Sequence, residues 1–220
     1  MKPTKSLIVA GVAAAALGSL AFAQLNAQNG MGGMDHSGMM AQSNMGGMNH
    51  SQMGMGASMG MQDMMQMMGG LDKLTGRNFD RAFLTMMIPH HQAAVDMSRE
   101  ILKTTKNTQV KTWANAIIKA QNTEIAQMNA LLKTYGGPDS KMAGNMQGMM
   151  SGMVSDIRQA PVAEKDRAFV KGMIPHHASA LMMANMALMQ AQDPKVLKLS
   201  RDIARDQAQE MYDFQLWLRR

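Results

Sequence analysis

Six histidines and thirty methionines, with no cysteine, supply the soft and borderline donors of this 220-residue chain. Every histidine stands in a methionine-containing motif. Two occupy a repeated N-terminal pattern, Met34-Asp35-His36-Ser37-Gly38-Met39 and Met48-Asn49-His50-Ser51-Gln52-Met53. The other four form Met87-Ile88-Pro89-His90-His91 and Met173-Ile174-Pro175-His176-His177. Thioether plus imidazole suits Cu(I) and, as the share of imidazole rises, Cu(II). Zinc prefers thiolate, imidazole and carboxylate and fits less well. Without cysteine there is no thiolate site, thiol nucleophile or disulfide framework.

Residues three or four apart share a helix face, so Met87 can meet His90 or His91, and Met86 can meet His90. The stripe extends through Asp80, Phe83, Met87, His90, Ala94 and Met97, with a copy through Asp166, Phe169, Met173, His176, Ala180 and Met183. The small alanine leaves a metal-sized space between histidine and the next thioether. The candidate ligands are therefore Met86, Met87, His90, His91 and Met97, their counterparts Met173, His176, His177 and Met183, and the N-terminal Met34, His36, Met39, Met48, His50 and Met53. Pro89 and Pro175 each remove one backbone bond and bend a helix. Apolar spacing continues on both sides of each proline, which favours a kinked helix over one that starts there. Asp80 and Asp166 read as early-helix acids facing the dipole. Further along, Gln121 and Glu124, and their copies Gln207 and Glu210, interrupt apolar stripes and need partners. Facing histidines would supply them, each glutamate accepting from an imidazole and fixing its tautomer. An exposed Glu-Gln edge is the other reading.

The elements that must position these groups come in two copies. Residues 79–134 align with 165–220 at a constant offset of 86, with 17 identities in 56 positions. Each copy reads as a helical hairpin, the first spanning about 78–135 and the second about 161–220. Asn107 and Asp193 sit where caps are wanted, and Pro194 fits the first turn of a new helix. Two hairpins give an all-α, four-helix bundle over residues 71–220. Gly136-Gly137-Pro138 ends the first hairpin and opens a Met/Gly-rich connector, residues 136–160. Residues 24–70, mostly Met, Gly, Gln, Asn and Ser, cannot bury a core and are expected to form a disordered arm. Residues 1–23 read as a signal peptide, with Lys2 and Lys5, an apolar run Leu7–Leu20, and Ala21-Phe22-Ala23 as the cleavage site. Export to the periplasm or cell envelope follows, with an uncleaved leader as the one route to a membrane. Losing Lys2 and Lys5 takes the formal charge from +6 to +4, without a basic block beside aromatics, which argues against nucleic acid.

The block Phe79-Asp80-Arg81-Ala82-Phe83-Leu84-Thr85-Met86-Met87-Ile88-Pro89-His90-His91-Gln92-Ala93-Ala94-Val95-Asp96-Met97 resembles the signature of the DUF305 family, and the resemblance spans about residues 61–220. It implies a ferritin-like four-helix bundle, exported in bacteria, with some members binding copper and supporting copper tolerance. The N-terminal motif is similar to the Met-x-His-Ser-x-Met repeats of periplasmic copper-resistance proteins. One departure is Gly172, where the first copy has Met86, so the two histidine pairs need not be equivalent. The expectation is an exported copper-binding protein that prefers Cu(I) and sequesters, buffers or delivers it, with copper ions and other exported copper-handling proteins as partners. Catalysis is not expected. Di-iron bundles use Glu-x-x-His, and no glutamate here is followed three residues later by histidine. A methionine oxidant sink or peptide-binding surface competes, as does, more distantly, a copper oxidase. The sink and the peptide surface leave the histidine pairing unexplained.

Overall fold

The computed structural model of the protein describes Met68 and residues 70–220. The expected leader and arm, with Met34, His36, Met39, Met48, His50 and Met53, lie outside the described residues. Five α-helices follow one another: α1 Gly76–Leu102, α2 Thr108–Thr134, α3 Ser140–Gln159, α4 Lys165–Gln190 and α5 Pro194–Leu218, with 3-10 turns at Leu71–Lys73 and Val162–Glu164. The pairs α1/α2 and α4/α5 are the two repeated hairpins, and they meet chiefly through α1 and α4. None of the described helices is long and apolar enough to cross a membrane.

Asn107 Oδ1 accepts from the amides of Gln109 and Val110, and Asp193 Oδ1 accepts from Lys195 N, so both second helices start on a side-chain cap. Both long helices run through their prolines, Pro89 in α1 and Pro175 in α4. Arg81 Nε donates to Gly137 O, and its repeat counterpart Arg167 donates to Leu218 O. Each thus reaches across its own hairpin to free carbonyls at or beyond the end of the second helix.

Two departures from the sequence reading have clear causes. The connector is a helix, α3, started by Asp139, whose Oδ1 accepts from Lys141 N and Met142 N. Met142, Met146, Met150 and Met153 fall on one face, with Met146 and Met150 buried against α1. Apolar packing overrides the weak propensity of its glycines. Asp80 is also not a dipole acid. It is 2% exposed and accepts from Gln192 N at 3.2 Å, Asp193 N at 3.0 Å and Tyr135 Oη at 3.2 Å, so it ties the α4–α5 turn of the second hairpin to the first. Only Asp166 sits in the first turn of its helix.

The core falls into two apolar clusters, and the order of residues along each helix locates the boundary. Along α1, Phe79–Met87 and Ala93 belong to one cluster, and Ala94, Met97 and Ile101 to the other. On α4, Phe169–Met173 belong to the second cluster and Ala180–Ala187 to the first. The switch falls between Ile117 and Met128 on α2, and between Ile203 and Phe214 on α5. The switch intervals on α4, α2 and α5 hold His176 and His177, Gln121 and Glu124, and Gln207 and Glu210; on α1, His90 and His91 lie just before the switch, between Met87 and Ala93 of the first cluster. A polar plane therefore crosses the bundle.

Candidate metal centre

All four histidines of the plane are 0% exposed. The inner rings, His90 and His176, meet across the α1–α4 contact with centroids 3.9 Å apart. Each outer ring stands beside its neighbour in sequence, His91 at 6.1 Å from His90 and His177 at 5.8 Å from His176. Consecutive residues on a helix diverge by about 100°, so one histidine of each pair faces the other hairpin and one faces its own second helix.

The hydrogen bonds settle which ring nitrogen carries the proton. His91 Nε2 lies 2.8 Å from Glu124 Oε2, and His177 Nε2 lies 2.6 Å from Glu210 Oε2; a carboxylate accepts, so both imidazoles donate through Nε2. His176 Nε2 donates to the backbone carbonyl of His90 at 2.9 Å. Ser179 Oγ donates its own proton to His176 O at 2.7 Å, and so accepts from His90 Nε2, also at 2.7 Å. Every Nε2–H is committed. Every Nδ1 is buried without a hydrogen-bond partner, which in the neutral ring leaves a bare lone pair. Burial, reinforced by His176 and the other neighbouring imidazoles, holds the His90 pKa well below that of a free histidine. Burial likewise brings His176 down to about 3, so both inner rings are neutral at ordinary pH.

Among the described residues, seven of the nine buried side-chain polar atoms without partners belong to this plane: the four Nδ1 atoms, Gln121 Oε1, and Gln207 Oε1 and Nε2. Each such atom costs about 1–3 kcal/mol when nothing fills it, and here they concentrate in one layer. Among the described residues no three His, Asp or Glu side chains converge on one metal position. Imidazole and thioether are together a donor set that suits a softer ion than zinc. The thioethers are present on both sides. Met86, Met87 and Met183 are buried in the first cluster, and Met97 and Met173 in the second.

Among the residues singled out from sequence, the glutamates meet histidines. The glutamines do not: Gln121 and Gln207 are buried on the plane but hydrogen-bond no histidine. Ser179 was missed. Its one signal is a mismatch between the copies, Ala93 in the first against Ser179 in the second. The Gly172 departure has a structural counterpart, because a Cβ at Gly172 would stand 3.3 Å from Met97 Cε. The absent side chain is the space Met97 occupies.

The profile of the family described as "Domain of unknown function (DUF305)" matches residues 18–132 and again 133–218. The chain belongs to the DUF305 family. A DUF305 fragment from Deinococcus radiodurans is 28% identical, with a TM-score of 0.55, over 63% of this chain and 94% of that one. CopM in its Cu(I)-bound form is 31% identical, with a TM-score of 0.55, over 64% of this chain and 95% of that one. CopM has also been solved in Cu(II)-bound and Ag-bound forms. A curated relative, the uncharacterised protein L153 of Acanthamoeba polyphaga mimivirus, is 43% identical over 53 residues, 24% of this chain; the match spans about a third of the length of that relative, 35%.

Proposed function

We propose that the protein binds monovalent copper in the histidine plane of its bundle, and that it sequesters, buffers or delivers copper outside the cytoplasm without turning over a substrate. The observation that carries this reading is the set of four buried imidazoles whose Nε2–H groups are all engaged and whose Nδ1 atoms have no partner. Glu124 and Glu210 hold the outer rings in the tautomer that presents Nδ1, the arrangement by which carboxylates raise the basicity of metal-binding histidines. Buried thioethers on either side bias the site towards Cu(I) over Cu(II). Likeness to CopM, solved with Cu(I), Cu(II) and Ag, supports copper as the cargo, and the Lys2–Ala23 leader supports export. The N-terminal motifs around His36 and His50 would collect further ions.

Anaerobic titration with Cu(I) against a competing chelator tests the reading. The mature protein is expected to bind with high affinity. Replacing His90, His91, His176 and His177 by leucine, close in volume, should abolish the bundle's share and leave that of the N-terminal motifs. Unchanged Cu(I) uptake in that variant, with its helices intact by circular dichroism, would overturn the assignment. Oxygen consumption by the Cu(I)-loaded protein at steady state would overturn the non-catalytic part.

A further inference from the structure

Helix α3 packs chiefly on α1 and less on α4, so the two repeats are covered unequally. Two contacts set its course: Asp139 N donates to Thr85 Oγ1 at 3.2 Å, and Arg158 pairs with Glu100 at 3.6 Å, so α3 runs parallel to α1. Among the described residues, no helix takes the matching position on α4. The side chains of α4 on that side are nevertheless apolar. Where α1 has Asp96, Glu100 and Lys103, α4 has Met182, Met186 and Met189, one stripe at steps of four and three. On α1 the charges answer one another and α3: Asp96 pairs with Arg99, and Glu100 with Lys103 and Arg158. On α4, Met182 and Met186 are half-buried and Met189 is 77% exposed. Three thioethers in place of three charges make a helix face that gains by being covered.

The chain supplies a cover immediately before α1. Carried upstream at the same offset of 86, the repeat lays residues 54–73 over α3, with Ala57/Ala143, Met64/Met150 and Met67/Met153 identical. Leu71 falls on Ile157, and both are buried, at 0% and 1% exposed. Ile157 belongs to the cluster of Ala94, Met97 and Ile101, and Leu71 to that of their counterparts Ala180, Met183 and Ala187. The segment also enters at the C-terminal end of α4. Asp80 accepts from the amide of Gln192 just beyond α4, a Cβ on Gly76 would stand 3.0 Å from Gln192 Oε1, and Met68 packs against the same cluster as Met186. Gly70, left-handed at φ 89°, matches Gly136, at φ 85° just past the end of α2, a conformation that commonly ends a helix. In helical register, Ala57, Met61, Met64, Met68 and Leu71 share one face, and Gln62, Asp63 and Gln66 the other. The glycines of the segment are no bar, since α3 is helical through Gly144, Gly148 and Gly152.

We propose that residues 57–67 form a helix whose methionine face docks on the Met182 and Met186 face of α4, parallel to α4 as α3 is to α1, so that each hairpin carries one methionine-faced helix. An isolated helix of this length is marginal in water, so its order comes from that contact. The two stripes match in chemistry, thioether against thioether with no charge in either. The segment is also tethered at Leu71, so closing it onto α4 costs only the entropy of a short loop, which a second copy of the chain or a foreign peptide would not share. This docking concerns packing alone and stands whether or not the histidine plane holds metal.

Hydrogen exchange of the full chain, read by mass spectrometry of its peptides, tests the docking. Amides of residues 58–67 should exchange at least about 10-fold more slowly than an unstructured chain of that sequence. Met61→Asp/Met64→Asp, which changes only the segment, should abolish that protection and leave the protection of α1 and α4 in place. In the same variant Met182 and Met186 should oxidise at least about 3-fold faster in dilute hydrogen peroxide, since the cover is gone. Met182→Asp, which gives α4 the residue α1 has at that position, should release the segment from the other side. Unprotected amides in the parent would overturn the proposal, as would protection that survives both variants. Oxidation of Met182 and Met186 at the same rate in parent and variant would put the segment elsewhere and overturn it too. Protection that grows with protein concentration would give the α4 face to a second copy of the chain, with the same consequence.

Discussion

At 2.6 Å from His177 Nε2, the Glu210 carboxylate determines which nitrogen of that ring carries the proton. Replacing Glu210 by leucine removes the acceptor and frees the ring to place its proton on Nδ1. Cu(I) affinity is expected to fall about 10–100-fold, with Glu210→Gln nearer the lower end because its amide oxygen still accepts; competition with a chelator reads the difference. The inner rings make a pH prediction for the metal-free protein. His176 is brought down to about 3 and His90 is also well below its ordinary value, both chiefly through burial, whereas unfolded histidine titrates near 6.5. The unfolded chain therefore binds more protons below about pH 6.5, and the stability present above that pH is lost as the pH falls towards about 3. The urea midpoint of the metal-free protein should drop between pH 7.5 and pH 5, and drop less with His90→Leu/His176→Leu. At this scale the His–Glu pairs were half legible, since the repeat put a glutamate on each apolar stripe in need of a partner but left facing histidines and an exposed edge both open. Ser179 and the His176–His90 carbonyl contact were not, because they depend on how the two hairpins dock.

Helix α3 shows where composition misleads. Its glycines and methionines resemble those of residues 24–70, and on that likeness the segment reads as a connector. Yet Met142, Met146, Met150 and Met153 recur at steps of four, four and three, with Asp139 in the cap position, and that pattern is helical. What the sequence lacked was the α1 surface that makes the pattern stable. The α1–α2 and α4–α5 hairpins were legible because their periodicity agreed with strong helix propensity and with caps at Asn107 and Asp193. Open space around Gly148 gives the element its own prediction. Gly148→Ala should stabilise the protein by about 1 kcal/mol, seen as a higher urea midpoint and slower amide exchange confined to α3. Asp139→Ala should act oppositely, costing about 0.5–2 kcal/mol through loss of the cap that Lys141 N and Met142 N donate to.

Across the whole molecule, the four bundle helices give up a continuous apolar core to carry one polar plane, and the two hairpins are held in register by Asp80 at one end and by the inner histidines at the centre. Unpartnered atoms in that plane weaken the metal-free protein, and a ligand that fills them restores the loss. An ion that binds only the folded chain adds about 2.7 kcal/mol when present at 100 times its dissociation constant. Replacing His90 and His176 together by leucine separates these effects. The substitution removes two buried imidazoles with unsatisfied Nδ1 atoms and joins the apolar clusters across the α1–α4 contact, and exchanging buried polar groups for apolar ones of similar shape is neutral or stabilising. Leucine also has the better helix propensity. The metal-free double variant should therefore melt at or above the temperature of the parent, yet its melting should respond much less to Ag(I). A variant that melted well below the metal-free parent would mean that the inner rings are structural members of the core; one that kept the full response to Ag(I) would mean that they hold no metal.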